Sequence, residues 1–391
     1  MHSSSIRTTR HTDVLVIGAG ILGTFHAYFA AKKGYKTLLL ERNSFPSDAS
    51  TRNFGMIVQT IVETEGEWPQ FALASREIYQ AIQAEVDITV KNAGSLYLAS
   101  TEAEQHVLQE FAATYGPTYF CHYLDADEVG SHYPFVQASY CQGALYFPYD
   151  LTIEPRSLLR RLLPFVQQNG PVDYLPQTTV VAIETSGQGY RVKDARGNIF
   201  TAEHIFVCSG AEYRTLFPEF FQASALKVCK LQIMQTVAQP GRILPHSLLS
   251  GLSLQRYPAF KSCPSYHLLQ EQPADECIRD YGIHLLFKQA ADGTVIIGDS
   301  HEYSTFEEAN GGEEYTNCHI NEVILRYGQR MITLPSWDIQ TLWNGYYLLH
   351  PHRPIYSETI DGSIHIVTGI GGKGMSTGPG FAQKHIDTVF M

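Results

Sequence analysis

The stretch VLVIGAGILG, from Val14 to Gly23, decides the fold. It begins with a short apolar run rich in β-branched residues, as a buried parallel strand does. The apolar spacing from Ile21 to Lys33 predicts a helix that stops at Gly34. A second strand is predicted from Tyr35 to Leu40, just before Glu41. The stretch is therefore expected to be the turn of a βαβ unit with parallel strands.

The glycines of this turn have the spacing of a dinucleotide-binding site. Gly18 makes the tight turn, Gly20 lets the backbone approach a pyrophosphate, and Gly23 lets the helix pack closely on the strand. The helix N-terminus presents free N–H groups to the phosphates. Glu41, an acid about 20 residues further on, can bind both ribose hydroxyls and disfavours the 2′-phosphate of NADP. The residues predicted to bind the cofactor here are Gly18, Gly20, Ile21, Leu22, Gly23, Glu41 and Arg42.

Length and composition narrow the class of protein. The 391 residues are enough for two packed domains. A net charge of −11 argues against a nucleic-acid partner, which would need a basic surface. No run approaches the ~20 apolar residues of a membrane span, and the polar start from Met1 to His11 lacks the apolar core of a secretory signal. We therefore expect a cytoplasmic protein that binds neither nucleic acid nor membrane.

Cysteines and histidines show no metal-binding pattern. The seven cysteines are scattered and never form CxxC, which argues against a disulfide framework or a zinc knuckle. The sixteen histidines show no HExxH spacing. The sequence therefore predicts no metal site.

The middle of the chain indicates which dinucleotide is bound. Three strand-like pieces are predicted at Thr178–Glu184, Gln188–Lys193 and Asn198–Thr201, separated by glycine turns. They lead into an apolar strand from His204 that is closed by Ser209 and Gly210. A three-stranded meander that returns to the sheet in this way is typical of FAD-binding Rossmann domains and unusual in NAD dehydrogenases. The expected cofactor is therefore FAD.

A second domain is predicted from two strand-like regions, Leu226–Gln239 and Tyr281–Asp299, with little helical pattern between them. The acidic stretch Glu307–Glu314 is expected to be an exposed loop. The predicted fold class is α/β, with an FAD-binding Rossmann-type domain of the glutathione-reductase kind interleaved with an α+β substrate domain built on a large, mostly antiparallel sheet. The expected boundaries are 1–62, 150–225 and 340–391 for the FAD-binding domain, and 63–149 and 226–339 for the substrate domain.

Six further stretches are distinctive: ASTRNFG from Ala49, GSLYLA from Gly94, CKLQIMQT from Cys229, YGIH from Tyr281, GDSHEY from Gly298 and GIGGKGM from Gly369. With these stretches the chain resembles, over nearly its whole length, the D-amino-acid oxidase, glycine oxidase and sarcosine oxidase superfamily of flavoproteins. In particular it is similar to a bacterial subfamily of FAD-dependent oxidoreductases whose genes commonly lie beside phosphonate catabolism genes.

The resemblance implies further cofactor contacts. One loop of such enzymes wraps the pyrophosphate and reaches the flavin ring, and it corresponds here to Ser50, Thr51, Arg52, Asn53 and Gly55. The backbone of Val180 would meet the adenine. A glycine-rich loop would pass under the flavin ring before the last helix, at Gly371, Gly372, Lys373, Gly374 and Met375. Lys373 or the helix N-terminus could there stabilise negative charge on the reduced flavin.

The sequence also departs from the resembled families. Glycine oxidases place substrate-binding arginines where this chain has Gly372 and, after the WNG strand, Tyr346 and Tyr347. Simple amino-acid recognition is therefore in doubt. Sarcosine oxidases attach the flavin through a cysteine near this strand, but no cysteine follows Cys318, so FAD is expected to be bound non-covalently.

A third departure concerns the electron acceptor. The oxygen-activating lysine of sarcosine oxidases corresponds to Ile296, and either Lys230 or Lys288 could replace it. The expected acceptor is therefore O2 or another electron acceptor.

The resemblance implies oxidation of a C–N bond, in which hydride passes to flavin N5 and the imine hydrolyses to an aldehyde plus ammonia or a smaller amine. The expected substrate is an aminophosphonate such as 2-aminoethylphosphonate or its N-methyl derivative. Alternatives are a glycine or sarcosine type oxidase, and a non-catalytic flavin-binding sensor or assembly protein. Candidate anion-binding residues are Arg52, Lys373, Tyr346 and Tyr347, with His350, His352 and Arg353 as a second cluster, and candidate acceptors of the ammonium proton are His284, His301 and Tyr257.

Overall fold

The predicted βαβ unit lies at the centre of the first large sheet. The computed structural model describes residues 9–187, 189–241, 243–272, 275–310 and 315–391. Strand Thr9–Ile17 pairs in parallel with Thr37–Leu40 on one side and with Ile199–Val207 on the other, and helix Ile21–Lys32 connects the first two. Among the described residues this sheet contains Thr9–Ile17, Thr37–Leu40, Val172–Leu175, Val180–Ser186, Gly189–Asp194, Ile199–Val207, Tyr356–Ile360 and Ile364–Thr368.

The expected meander is confirmed, with one correction. Strands Val180–Ser186, Gly189–Asp194 and Ile199–Val207 are antiparallel neighbours, while Gln188 of the predicted range lies outside the described residues. The separate strands expected at 198–201 and from 204 onward are a single strand, Ile199–Val207. Both halves of this strand pair with Thr9–Ile17, so there is no break at which the strand could end.

The second large sheet is mostly antiparallel, as expected. Its parallel pair is Ser95–Ala99 with Ser247–Ser250. Strand Ile339–Leu349 pairs along almost its whole length with Lys227–Thr236, although the expected boundary at 340 would assign it to the other domain. The described strands of this sheet are Ser95–Ala99, His122–Asp125, Gly143–Phe147, Lys227–Thr236, Ser247–Ser250, Leu286–Gln289, Val295–Gly298, Glu302–Ser304 and Ile339–Leu349. A small third sheet contains Met56–Ile57, Lys91–Asn92 and Leu151–Thr152.

Helices occur where the sequence predicts none. The region between the two predicted strand-like regions contains Leu252–Arg256, and the expected acidic loop contains Phe306–Asn310, while 311–314 lie outside the described residues. Helices of five residues are too short to show a helical period. The longer helix Cys318–Met331 buries Ile320, Val323, Ile324 and Met331, a spacing that could have predicted it.

The remaining helices cover the sheets and connect their strands. They are Ala49–Arg52, Trp68–Glu85, Glu102–Tyr119, Ala126–His132, Pro155–Gln168, Pro218–Gln222, Tyr266–Glu271, Glu276–Asp280 and Gly374–Val389, with short 3₁₀ turns at Gln59–Ile61, Pro258–Ser262 and Gly371–Lys373. None of the described helices is long and apolar enough to cross a bilayer.

The last helix, Gly374–Val389, packs against both Ile21–Lys32 and Trp68–Glu85. A side chain at Gly380 would collide with the carbonyl oxygen of Phe71, so glycine is needed at this crossing. This packing fixes the position of the glycine-rich loop that precedes the helix.

Candidate active site

A cavity of about 390 Å³ is lined by loops of the first sheet and by strands of the second. This volume lies in the usual range for small-molecule sites. Among the residues predicted to bind cofactor or substrate, those that line the cavity are Gly20, Ile21, Leu22, Ser50, Arg52, Asn53, Gly55, Gly210, Tyr257, His284, Tyr346, Tyr347, Gly371, Gly372, Lys373, Gly374 and Met375. Residues that are far apart in the sequence therefore meet at one site.

The glycine turn has the backbone geometry that its spacing predicts. Gly18 has a φ of +98°, and a side chain there would collide with the carbonyl oxygen of Cys208. A side chain at Gly23 would collide with the carbonyl oxygen of Gly18. Gly20 lies at the N-cap of helix Ile21–Lys32. The turn thus brings the positive end of the helix to the cavity wall.

The loop Ala49–Gly55 is held against this turn. The Ser50 hydroxyl accepts a hydrogen bond of 2.9 Å from the Ile21 N–H. The Asn53 amide donates to the carbonyl oxygens of Ala49 and Ser50, and its own oxygen accepts from the Gly55 N–H at 2.8 Å. Arg52 is exposed and donates to the carbonyl oxygens of Ser47 and Asn344. The loop is therefore ordered by its own hydrogen bonds.

Arg256 is a cavity residue that the sequence analysis did not identify. Its guanidinium donates to the Tyr303 hydroxyl at 3.1 Å and to the Tyr347 hydroxyl at 3.2 Å. No Asp or Glu in the described part of the chain lies within the 4.0 Å ion-pair distance of it. A mostly buried cation without a carboxylate partner is costly unless an anion joins it. The position thus suits the anionic end of a ligand.

The two tyrosines meet at Arg256 because of strand register. Tyr303 and Tyr347 both pair with Cys229, one on each side of strand Lys227–Thr236. Residues directly opposite one another in antiparallel strands project to the same face of the sheet. Both hydroxyls therefore point to the same side, where helix Leu252–Arg256 ends.

A buried trio of His284, Asp299 and His301 lines the same cavity. His284 Nε2 lies 2.9 Å from Asp299 Oδ1, and His301 Nε2 lies 3.7 Å from Asp299 Oδ2. Burial would raise the pKa of Asp299, but the charge of Arg256 and the hydrogen bond from His284 favour the carboxylate and lower this pKa. Burial lowers the pKa of His301 to about 3. At neutral pH the trio therefore consists of a carboxylate and neutral imidazoles.

The trio also has the composition of a metal site. Its ligand atoms all lie within 4.8 Å of one another. No local spacing in the sequence could reveal it, because the backbone pairing of His284 with Asp299 brings distant residues together. We assign no metal here, and the expectation of none stays a prediction.

Comparison with models of protein families shows to which family the chain belongs. From residue 13 to residue 387 it matches the DAO family, described as FAD dependent oxidoreductase. The chain belongs to this family. Its relatives include glycine oxidase from Bacillus licheniformis, 30% identical over 214 residues, which are 53% of this chain and 56% of the relative. Monomeric sarcosine oxidase from Bacillus sp. (strain B-0618) is 24% identical over 203 residues, 51% of this chain and 52% of the relative.

These matches span about half the length of the curated relatives. The fold agrees over almost the whole chain with the crystal structure of glycine oxidase from Geobacillus kaustophilus. The TM-score is 0.77 at 18% identity, and the alignment covers 97% of this chain and 95% of that chain. The predicted fold class is therefore confirmed.

The cavity of this DAO family member fits FAD. The positive end of the helix at Gly20 suits the pyrophosphate, and the loop Gly369–Gly374 allows a flat ring to approach the backbone. Lys373 lies in this loop, with Nζ 5.7 Å from the centre of the Trp68 ring, and burial lowers its pKa to about 8. Lys373 is therefore mostly a cation at neutral pH.

Other predicted cofactor residues lie behind the cavity wall. Glu41 is buried and accepts hydrogen bonds from the N–H groups of Ala19 and Asn43, at 3.0 and 2.9 Å. Each carboxylate oxygen keeps acceptor capacity for a ribose hydroxyl. Two other residues of this group have polar partners: Arg42 pairs with Asp48, and the Ser209 hydroxyl donates to the Glu212 carbonyl oxygen. Thr51 lines a second cavity of about 250 Å³, and Val180 is buried at the start of a strand. Their FAD contacts remain predictions.

The structure distinguishes the two lysines that could replace the one missing at Ile296. Lys288 pairs directly with Ile296 across the hairpin, and its buried ammonium lies beneath Gly55 and donates to the Ile153 carbonyl oxygen. Lys230 is paired with Glu302 at 3.4 Å, Lys288 lies 3.9 Å from Glu154, and neither lines the cavity. Lys288 is the one of the two that pairs with Ile296, and its role stays a prediction.

The predicted second anion cluster is only partly at the cavity. His350 and Arg353 line it, whereas His352 does not. Arg353 is paired with Glu358 at 2.6 Å. This cluster therefore offers a weaker anion site than Arg256.

Proposed function

We propose that this chain oxidises a small amine that also carries an anionic group, at the carbon bound to nitrogen. The observation that carries the proposal is Arg256, a mostly buried cation in the same cavity as the FAD-binding loops, with no carboxylate partner in the part of the chain that the structure describes. When bound, FAD supplies the acceptor for the two electrons and the hydride. The residues of the chain supply position, charge and exclusion of water.

The anion would be held by Arg256 together with hydroxyl groups. Tyr303 and Tyr347 already accept from the guanidinium. The hydroxyl hydrogen of Tyr347 is shared with the Cys229 thiol, and that of Tyr303 can bond a ligand oxygen. Lys373 lines the same cavity, and no described carboxylate lies within 4.0 Å of it. Arg256 and Lys373 thus give two positive charges toward one ligand, and they fix its reacting carbon relative to the flavin loops.

The finer proposal is an aminophosphonate substrate. Like a phosphate monoester, a phosphonate carries nearly two negative charges near pH 7. Arg256 and Lys373 would balance these charges, and Asp299 would balance one ammonium. In a ligand such as 2-aminoethylphosphonate, both the phosphonate and the ammonium would therefore have an opposite charge in the cavity.

A second candidate is an amino-acid oxidase of the glycine or sarcosine type. It is favoured by the similarity to proteins named glycine oxidase and monomeric sarcosine oxidase. A carboxylate carries a single charge, and Arg256 alone could pair with it. The third reading, a non-catalytic flavin protein, predicts FAD binding without reduction by any amine.

The test is the visible spectrum of the FAD-loaded protein after anaerobic addition of amines. The amines are N-methyl-2-aminoethylphosphonate, 2-aminoethylphosphonate, sarcosine and glycine, added to separate samples. Bleaching by the phosphonates alone supports the finer proposal, and bleaching by sarcosine or glycine alone supports the second candidate. No bleaching by any anionic amine, with FAD fully bound, would contradict the proposed oxidation.

A further inference from the structure

The carboxylate of Asp299 has unused hydrogen-bonding capacity. The side chain is 9% exposed and lines the cavity. Asp299 Oδ1 lies 2.9 Å from His284 Nε2, which is its close donor among the described residues. The 3.7 Å from Oδ2 to His301 Nε2 is too long for a hydrogen bond. Asp299 Oδ2 is therefore a buried carboxylate oxygen that lacks a donor among the described residues.

The neighbouring histidines supply a donor to Asp299 Oδ1, through His284 Nε2, but none to Oδ2. His301 Nδ1 lies 3.1 Å from the Gly282 carbonyl oxygen, so this nitrogen carries the hydrogen and Nε2 is left bare. His284 Nδ1 lies 3.1 Å from the Ser253 hydroxyl, which can donate to it. Asp299 Oδ2 and His301 Nε2 thus form two acceptors side by side. Such a pair suits a ligand group with several N–H donors.

The positive neighbour of Asp299 is also not an ion-pair partner. Arg256 acts on the carboxylate electrostatically, but the two side chains are not within 4.0 Å of each other. Tyr257 and Cys229 are the other titratable groups that interact with this carboxylate, and burial raises the pKa of each, so both stay neutral. The cavity therefore presents a cation and a carboxylate that do not neutralise each other by contact.

We propose that Asp299 binds the ammonium group of the substrate while Arg256 binds its anion. The inference rests on the proposed function and specifies the substrate class as a zwitterion, with an ammonium or secondary ammonium at one end. Asp299 Oδ2 accepts one N–H of this group, and His301 Nε2, 3.7 Å away, accepts a second. The amine end is thereby fixed independently of the anionic end.

The test uses two ligands of the same shape that differ in one charge. In 2-aminoisobutyrate an NH₃⁺ group replaces one methyl of pivalate, and the carbon that bears nitrogen has no hydrogen, so it cannot be oxidised. Binding to the FAD-loaded protein at pH 7 is followed through the visible flavin spectrum. The same comparison is made with (2-amino-2-methylpropyl)phosphonate and neopentylphosphonate, which carry the other anionic head group.

We expect the wild-type protein to bind the ligand with an ammonium group at least about tenfold more tightly than the matched ligand without it, the size of one charge-assisted hydrogen bond. Asp299→Asn is expected to lose this preference and to keep its affinity for the ligand without the ammonium group. Asp150→Asn is the matched control, because Asp150 is also buried but does not line the cavity. This control should keep the preference.

Two results would overturn the inference: equal wild-type affinity for the two ligands of both pairs, or an unchanged preference in Asp299→Asn. If Asp299→Asn does not retain FAD, the test is repeated with the smaller neutral variant Asp299→Ser. If neither variant retains FAD, the comparison of the paired ligands on the wild-type protein decides. Arg256→Met distinguishes the proposed function from this inference. If that variant binds pivalate and neopentylphosphonate as tightly as wild type, the anion site is wrong, whatever the ammonium preference.

Discussion

The FAD side and the substrate side of the cavity are built in different ways. On the FAD side, the glycine turn, the helix that follows it and Glu41 come from one short stretch of chain. On the substrate side, Arg256, Asp299 and Tyr347 come from three distant segments that meet through the second sheet. The first side is a local motif, whereas the second is a product of strand register. Substrate recognition can therefore change without loss of the cofactor turn.

The largest expected effect is the loss of FAD when the glycine turn, on the FAD side, is changed. Gly23→Ala would place a methyl group against the Gly18 carbonyl oxygen, and overpacking of this kind shifts the backbone. We expect the variant to lose most of its bound FAD, measured as flavin absorbance relative to protein after desalting. Gly130→Ala is the control, because a side chain there meets nothing within 4 Å. Full FAD content in Gly23→Ala would show that the turn does not carry the cofactor.

The second prediction concerns Lys373, which lies where the two sides meet. Lys373→Ala should raise the substrate concentration for half-maximal reduction about tenfold, the size of one charge-assisted contact, and leave FAD content nearly unchanged. Titration of the purified variant with the reducing amine measures the first quantity, and its flavin spectrum measures the second. Equal losses of both would place Lys373 on the FAD side instead.

The pKa of Lys373 gives a related prediction of pH dependence. Because burial lowers this pKa to about 8, the ammonium loses its proton as pH rises through that value, and attraction for an anion is lost with it. Pivalate has no amine of its own and should bind more weakly above about pH 8. Lys373→Arg stays charged throughout and should show a flat profile. A wild-type profile that is equally flat would remove Lys373 from the anion site.

The smallest expected effect tests the contact between the FAD loop and the turn. Ser50→Ala removes the acceptor for the Ile21 N–H. Loss of one such helix cap costs about 1 kcal/mol, or about a fivefold weaker affinity for FAD. Reconstitution of the apoprotein with FAD, followed by flavin fluorescence, measures it. Ser131→Ala, which changes an exposed serine, is the control and should bind FAD normally. An unchanged affinity for FAD in Ser50→Ala would show that the hydrogen bond from the Ile21 N–H is dispensable.

The FAD side could be predicted from the sequence because its signals are local. The spacing of Gly18, Gly20 and Gly23 directly reflects a tight turn and a close helix, and the structure shows both. The helix predicted from Ile21 onward is present for the same reason, as Ile21–Lys32. The continuous strand Ile199–Val207 was divided in two because its unbroken pairing depends on Thr9–Ile17, which lies far away in the sequence.

The substrate side could be predicted only in part. His284 lies in the stretch YGIH, Tyr347 was identified where the sequence departs from glycine oxidases, and Tyr257 was named as a candidate acceptor of the ammonium proton. All three line the cavity. Arg256 was missed because its helix of five residues shows no period and its two tyrosine partners are placed by pairing with Cys229. Asp299 was missed as a site residue because its burial depends on the fold and not on its neighbours in sequence. The spacing of residues in a sequence shows neither which distant strands pair nor which side chains the fold buries.

The most direct test of the central claim is anaerobic reduction of the flavin in Arg256→Met compared with wild type, with FAD content matched. The amine used is whichever one bleaches the wild-type protein. We predict that the amine concentration for half-maximal reduction rate rises by about 100-fold, because removal of a buried charge partner costs roughly 2–5 kcal/mol. Arg161→Met, which changes an exposed arginine paired with Asp87, should behave as wild type. An unchanged half-maximal concentration in Arg256→Met would contradict the assignment of this cavity to an anionic amine.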